Sequence, residues 1–394
     1  GLRGPQQGEW IETLGTEHDN IRRALRWAID AADAERALEL VAAMGWFWWM
    51  RGHWKEGMRW FHRAYALDPA ADKALRGRAV YKAASIEVMR ARPADVSPLL
   101  EEALADFRAL EDRTGIAWTA FYLAHYLLDP DREADLLAEA TGLFAEIGDA
   151  WGQAYAVATA MDTTLGEVAD PAEGLRRARA GIDGFVDLGD RWMASWMAFL
   201  LGQLLGLEGR LDDARQILAE SMELAAGTGD RWAVPHAKCR RGVVETMAGE
   251  LDEAMRLLGE ALPVLRRIGD ENCTSMSLTF LGEAHTLQGD YESARDCLRE
   301  ALEGYVGLQN PFGIGNCLRR FAWLAEAEGE YERAATLLGQ AEEACGELKI
   351  SVHDRSRFDR SVESVRGVLG EQQLSLIHIS EPTRPMKESR IPYS

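Results

Sequence analysis

The chain has 394 residues, 47% hydrophobic and 27% charged, enough for two or three globular domains or for one repeat array. A formal charge of −20 argues against a direct nucleic-acid surface, because phosphate binding needs clustered Lys and Arg. The most apolar stretch, residues 41–50, is too short to span a bilayer.

In chain order, residues 1–32 read as a helix that is not a repeat unit, carrying Trp10, Ile11 and the run Glu17 to Ala28. No start methionine or basic-then-apolar leader precedes it, so Gly1 reads as a cut end. A first unit over 33–69 holds Gly45, Gly57, Phe61, Ala64 and Pro69. It also holds the densest aromatic cluster, Trp46, Trp48, Trp49, Trp54 and Trp60. A helix apolar all round is a buried one, here expected to pack against a missing upstream domain; a ligand platform is the alternative. Weaker units follow at 74–110 (Ala84, Leu100, Ala103), 112–148 (Ala124, Ala134) and 150–188 (Gly174, Ala178). In the last of these regions Asp129-Pro130 and Asp170-Pro171 replace the Gly turns of its neighbours.

From residue 190 onwards the register is explicit, with units at 191–228, 231–268, 271–308 and 312–348. Gly209, Gly249, Gly289 and Gly329 recur every 40 residues, followed in step by Ala214, Ala254, Ala294 and Ala334, then by Leu218, Leu258, Leu298 and Leu338. Asp190, Asp230, Asp270 and Asn310 mark the junctions, where a short polar side chain caps a helix. The glycines suit left-handed C-caps. The small residues Gly202, Gly242, Gly282 and Ala322 are expected to face the alanine twelve positions on, letting two helices approach closely. Residues 349–373 read as a capping helix or a truncated further unit, with the helix itself over 351–370.

This spacing of small residue, Gly, aromatic or Leu, and Ala resembles the tetratricopeptide repeat, whose usual period is about 34 residues. The resemblance implies an all-α, tetratricopeptide-like α-solenoid: a right-handed superhelix of about eight helix-turn-helix repeats over 33–348, with a period of about 40 residues. The extra residues add about 9 Å of helix per repeat. The segment from Trp10 to Ala28, with Gly45 to Trp49, Arg51 to Trp54, Glu56 and Gly57, resembles the junction at which signalling ATPases of the STAND class, large LuxR-type transcriptional regulators among them, pass into C-terminal repeats. That likeness implies a sensor that releases an upstream ATPase domain. The ATPase itself is not in this sequence: no lysine follows a glycine, as a phosphate-cradling Walker A loop requires, and no recognition helix with a basic face is present. Finally, Leu374 to Arg384 resembles one translated frame of a common transposase-type sequencing adapter, so 374–394 is expected to be a non-native, disordered tail without function.

The first helix of each repeat of this kind lines a concave groove. In the last four units that face carries Trp196, Phe199 and Gln203; His236, Cys239 and Val243; Met276, Thr279 and Glu283; and Asn316, Arg319 and Trp323. Exposed, these would suit an apolar peptide or helix; the alternative is that the longer register turns them into the core. The histidines lack metal-ligand spacing and read as surface or capping residues, and the carboxylates as solvated faces with i,i+4 pairs. The five cysteines, Cys239, Cys273, Cys297, Cys317 and Cys345, have no CxxC spacing and read as reduced thiols of a cytoplasmic protein. No catalytic grouping, metal or cofactor is expected. The expected partners are a protein or peptide segment or a small effector, together with the upstream ATPase domain. The expected function is an effector-sensing, protein-binding module of a STAND-type regulator, with a freestanding scaffold as the alternative.

Overall fold

The computed structural model describes residues 1–88, 96–125, 130–157, 171–226, 228, 232–345 and 351–370, and among these there is helix but no strand. The adapter-like segment 374–394 lies outside the described residues, as do Asp129, Asp170 and Asp230. A long helix α1 (Gln7–Asp30) is followed by helices in pairs. They are α2 (Ala34–Met50) with α3 (Trp54–Tyr65), α4 (Lys73–Val88) with α5 (Ser97–Ala109), and α6 (Arg113–Ala124) with α7 (Pro130–Glu146). Next come α8, described over 150–157, with α9 (Pro171–Asp187), and α10 (Arg191–Leu207) with α11 (Leu211–Ala225). Then come α12 (Ala233–Ala248) with α13 (Leu251–Ile268), α14 (Glu271–Gln288) with α15 (Tyr291–Gly307), and α16 (Pro311–Ala327) with α17 (Tyr331–Cys345). Helix α18 (Val352–Leu369) follows.

Two compact units result, the first built chiefly from Gly1–Met197 and the second from Ala198–Glu223 with the described part of Arg231–Ile391. In the first, α2 packs on α3 and α4, and α6 on α4 and α7, with α1 laid against α2 and α3. In the second, α12 packs on α13 and α14, α14 on α15 and α16, and α16 on α17 and α18. These pairs thus close on themselves while their first helices α2, α4, α12, α14 and α16 touch the next helix but one, the nearest-neighbour arrangement of a solenoid.

The local chemistry that makes these pairs is repetitive. Side-chain oxygens of Asp33, Asp112, Asp270 and Asn310 accept from the N–H of Arg36, Gly115, Cys273 and Gly313, capping first helices. Asp72, Asp149 and Asp190 do the same for Leu75, Gly152 and Met193, so caps recur about every 40 residues from Asp33 onward. Within pairs, Gly209, Gly249, Gly289 and Gly329 hold φ between +77° and +83°, the left-handed turn in which a Cβ is strained.

The close approach of paired helices is real, but its main contact differs from the expected one. A Cβ on Gly242 would stand 2.6 Å from Cγ of Leu258 and 3.4 Å from the carbonyl oxygen of Ala254. Gly202 and Gly282 meet Leu218 and Leu298 in the same way. The leucine one turn beyond the alanine therefore fills the gap, because a helical side chain leans back towards the N-terminus of its helix. Gly57, where the pattern favours Ala, has Trp48 and Ile86 about its Cα, with Trp48 Cε3 3.0 Å from where a Cβ would sit. Ala134 departs from expectation: it is exposed, and Glu133, Leu136, Ala140 and Phe144 are the buried residues described in α7. Counted from the cap Asp112, Leu136 and Ala140 stand where Ala294 and Leu298 stand after Asp270, so the buried face keeps the same register and Ala134 lies off it.

The tryptophan cluster is buried by its own chain. Trp46, Trp48, Trp49 and Trp60 are buried and Trp54 half-buried. Trp46 meets Trp151 edge-on at 5.0 Å and Trp49 meets Trp192 at 4.7 Å, so later helices of the same unit supply the cover expected from an upstream domain. Among the described residues, the expected i,i+4 ion pairs occur, as Arg256–Glu260 and Arg179–Asp183, beside i,i+3 pairs such as Arg256–Glu253 and pairs that join neighbouring second helices, such as Arg108–Glu139 and Arg266–Glu300. Pairs this exposed are screened by water and add little to stability.

Candidate functional site

The first helices of the second unit carry polar groups that pair with the next first helix, at different positions along each helix. His236 on α12 is buried, and both its ring nitrogens face acceptors: Nδ1 lies 2.7 Å from the carbonyl oxygen of Trp232, Nε2 2.6 Å from Asp270 Oδ2. These two contacts fix the ring between α12 and the start of α14. Burial pushes the Asp270 carboxyl up, but the hydrogen bond and charge of His236 outweigh it and hold it below its usual range. Asp270 simultaneously caps α14 through Oδ1. Donor atoms of His236, Asp270 and Cys273 lie within 4.8 Å of one another. Cys239 Sγ lies 3.0 Å from Ser277 Oγ, and both residues are fully buried.

One and two units further on, a second network ties α14, α16 and α18 together. Arg320 is fully buried; its Nε donates to Glu283 Oε2 at 3.0 Å, Nη2 to Asp354 Oδ1 at 2.6 Å and Nη1 to Asn316 Oδ1 at 2.5 Å. Arg357 Nη1 donates to the other Glu283 oxygen at 2.6 Å. Two guanidinium groups thus face two carboxylates. Burial pushes the Glu283 carboxyl up, while Arg320, His353 and Arg357 pull it down further, to about 2. Asp354 is positioned at the start of α18, where its N–H donates to the Ser351 hydroxyl. The arrangement offers fixed charge and hydrogen bonds and no nucleophile paired with a base. Its chemistry is alignment of helices.

The sequence-derived face is distributed as follows. Trp196 belongs to the first unit, buried and stacked on Trp192 at 6.2 Å. Phe199 is buried, its ring edge-on to that of His236 with centroids 6.3 Å apart. Val243 and Met276 pack with Cys239, Phe280 and Leu281 in one apolar cluster. Thr279 is buried and donates to the Ser275 carbonyl. Trp323 is buried, with Arg357 4.2 Å and Arg320 4.8 Å from its ring centroid. Arg319 is buried and donates to Asn316. Gln203 and Asn316 are half-buried.

Two readings from the sequence need correction. His236, and His18 in the first unit, are buried partners of carboxylates rather than surface or capping groups. Glu245, Glu283 and Asp354 are likewise buried and paired with arginines rather than solvated. A buried carboxylate keeps its charge only beside such partners, and linear spacing does not reveal partners 30 or more residues away. The residues missed were Arg320, Asp354 and Arg357. In the first unit, Trp118 and Tyr155 were also missed. A signal for these two was present: each stands at the sixth residue after its cap, Asp112 or Asp149, the place that Met276 and Asn316 occupy after Asp270 and Asn310.

Comparison with known proteins agrees with this architecture. Residues 234–306 match the tetratricopeptide repeat family. HTH-type transcriptional regulators of Mycobacterium tuberculosis and Mycobacterium bovis are 30% identical over 148 residues, 34% of this chain, and the match spans only 16% of their length. Aspartyl phosphate phosphatase F from Bacillus subtilis is 10% identical and covers 85% of this chain and 94% of its own, with a TM-score of 0.50. A STAND protein with a tetratricopeptide repeat sensor from Pyrococcus horikoshii is 12% identical and covers 81% of this chain and 54% of its own, with a TM-score of 0.46. At such identities the structural likeness concerns the fold. The chain is an all-α, tetratricopeptide-like solenoid.

Proposed function

We propose that the chain is a protein-binding module, the effector-sensing repeat region of a cytoplasmic STAND-type transcriptional regulator that recognises a protein or peptide segment, or a small effector, and passes the event to an upstream ATPase domain. The observation that carries the binding role is the recurrence of polar and ionic pairs between consecutive first helices, His236 with Asp270 inside the tetratricopeptide-matching residues 234–306 and Glu283 with Arg320, which lies beyond their end. The regulator role rests on the junction-like residues between Trp10 and Gly57 and on the similarity to HTH-type regulators. In this reading 1–32 is the junction, 33–348 the repeats and 349–373 the cap. The first-helix residues of the second unit from Phe199 to Trp323 form the recognising face, of which Gln203 and Asn316 are the more accessible members. No catalysis belongs to this region, and 374–394 is adapter-derived.

The DNA around the coding segment tests the whole reading. An in-frame Gly-Lys-Ser/Thr loop upstream of Gly1 is expected; a stop codon just before Gly1 would leave the freestanding scaffold instead. Resequencing downstream should replace the codons for 374–394, and an adapter-free clone that still encodes Leu374 to Arg384 would refute that part.

A further inference from the structure

Arg3 stands on no helix, yet its guanidinium carbon lies 3.9 Å from the ring centroid of Trp151, 4.7 Å from that of Trp118 and 5.0 Å from that of Trp46. These rings come from α8, α6 and α2, three first helices of one unit, and Tyr155 closes the set at 5.1 Å from Trp151. Among the described residues no carboxylate is within ion-pair distance of Arg3, so the ring faces themselves hold the cation. Two carboxylates act from behind the rings. Trp151 Nε1 donates to Asp190 Oδ2 at 2.8 Å and Trp118 Nε1 to Asp149 Oδ2 at 3.2 Å, which draws negative charge towards both indoles and favours a cation on their faces. The Lys82 amine also stands by these rings, Nζ 5.2 Å from Trp46 and 5.8 Å from Trp118, and burial together with the Arg3 charge pushes its pKa well down, so Arg3 is the cation the rings hold.

The segment carrying Arg3 is fastened beside the rings by one residue. Gln7 Nε2 donates to Asp190 Oδ1 at 2.7 Å and to the Leu2 carbonyl at 3.0 Å, and Gln7 Oε1 accepts from the N–H of Trp192 at 3.2 Å. Pro5 lies over Gly189, about 3.1 Å from where a Cβ there would sit. Residues 1–7 therefore lie on the first-helix line of the unit as a bound peptide would, with one arginine as the anchor.

We propose that the cage of Trp46, Trp118, Trp151 and Tyr155 is a recognition site for an arginine side chain on a partner protein segment, and that Arg3 occupies it as an internal competitor. The proposal shares with the function above only the premise of segment binding. Its residues are in the first unit, so its failure would leave the second-unit face standing.

The test uses the full chain carrying Arg3→Ala, and separately Arg3→Met, which keeps an apolar stem. The probe is the heptapeptide Gly-Leu-Arg-Gly-Pro-Gln-Gln, the sequence of residues 1–7, followed by tryptophan fluorescence and calorimetry. Both variants should bind it, at least about tenfold more tightly than the unmodified chain, whose tethered Arg3 fills the site. Replacing the peptide's arginine with neutral citrulline should abolish binding. Free N-acetyl-arginine amide is the second arm: binding as tight as the heptapeptide's would point to a small guanidinium ligand and overturn the protein-segment proposal. Equal binding by the citrulline peptide, equal binding by the unmodified chain, or no binding to folded variants would also overturn it. Loss of helical circular dichroism in both variants would assign Arg3 a structural role and overturn it too.

Discussion

Arg320 shows what one buried charge does here. Its guanidinium is surrounded by Glu283, Asp354 and Asn316, from α14, α18 and its own helix, and none of its charge reaches water. Arg320→Met should cost about 3–5 kcal/mol in urea denaturation, because two buried carboxylates lose their main counter-charge. A loss under 1 kcal/mol would mean that the network is not coupled to folding. Glu283 also predicts a pH dependence. Its carboxyl lies at about 2 when folded, because the pull of Arg320, His353 and Arg357 exceeds the opposing effect of burial, against an ordinary value of 4.5. A carboxyl depressed by folding stabilises fully above its unfolded value and loses that stabilisation as pH falls through the folded one. About 3 kcal/mol should thus disappear between roughly pH 4.5 and pH 2. Glu283→Gln should flatten that part of an acid-denaturation profile; an unchanged acid limb would contradict the assignment.

At the scale of helices and turns, stability is set by where a Cβ fits. Gly242→Ala places a methyl 2.6 Å from Leu258 Cγ and should destabilise by about 1–3 kcal/mol in thermal melts. The opposite sign is expected at the turn between pairs. Gly148, Gly189 and Gly269 occupy it with φ of +70° to +74°, while Ala32, Glu111 and Gln309 adopt φ of +53° to +55° at the same place with a side chain. Gln309→Gly removes that strain and should raise stability by about 0.5–1 kcal/mol, the gain being limited by the greater freedom of glycine in the unfolded chain. A lower melting temperature for Gln309→Gly would show that the Gln309 side chain itself contributes. The caps, the left-handed glycines and the Ala–Leu spacing were all legible in sequence, because each depends on residues within one or two turns. Ala134 misled because, without a turn glycine to fix the register, the count from the cap Asp112 decides which residues of α7 are buried.

For the molecule as a whole, a helix-pair array distributes damage locally. Ala254 is fully buried between α12 and α13, and Ala254→Leu overpacks that seam by about 1–3 kcal/mol. Amide exchange should therefore quicken most in α12 and α13, less in α14 and α15, and least in α16 and α17. Uniform acceleration through the second unit would show instead that it unfolds as one block. From the sequence alone came the all-α class, the 40-residue period from residue 190 onward, the capping acids, the turn glycines and the line of first-helix positions. These are periodic, and periodicity is written in the order of the residues. Only the tertiary structure decided what those first-helix positions meet: His236 against Asp270, Glu283 between Arg320 and Arg357, and Trp118 and Trp151 about Arg3. Those partners lie 30 to more than 100 residues apart, and a single-residue offset such as Arg319 to Arg320 changes which guanidinium reaches the carboxylate. Their pairing is set by the angle at which helices pack, and that angle is fixed by the whole set of side chains between them.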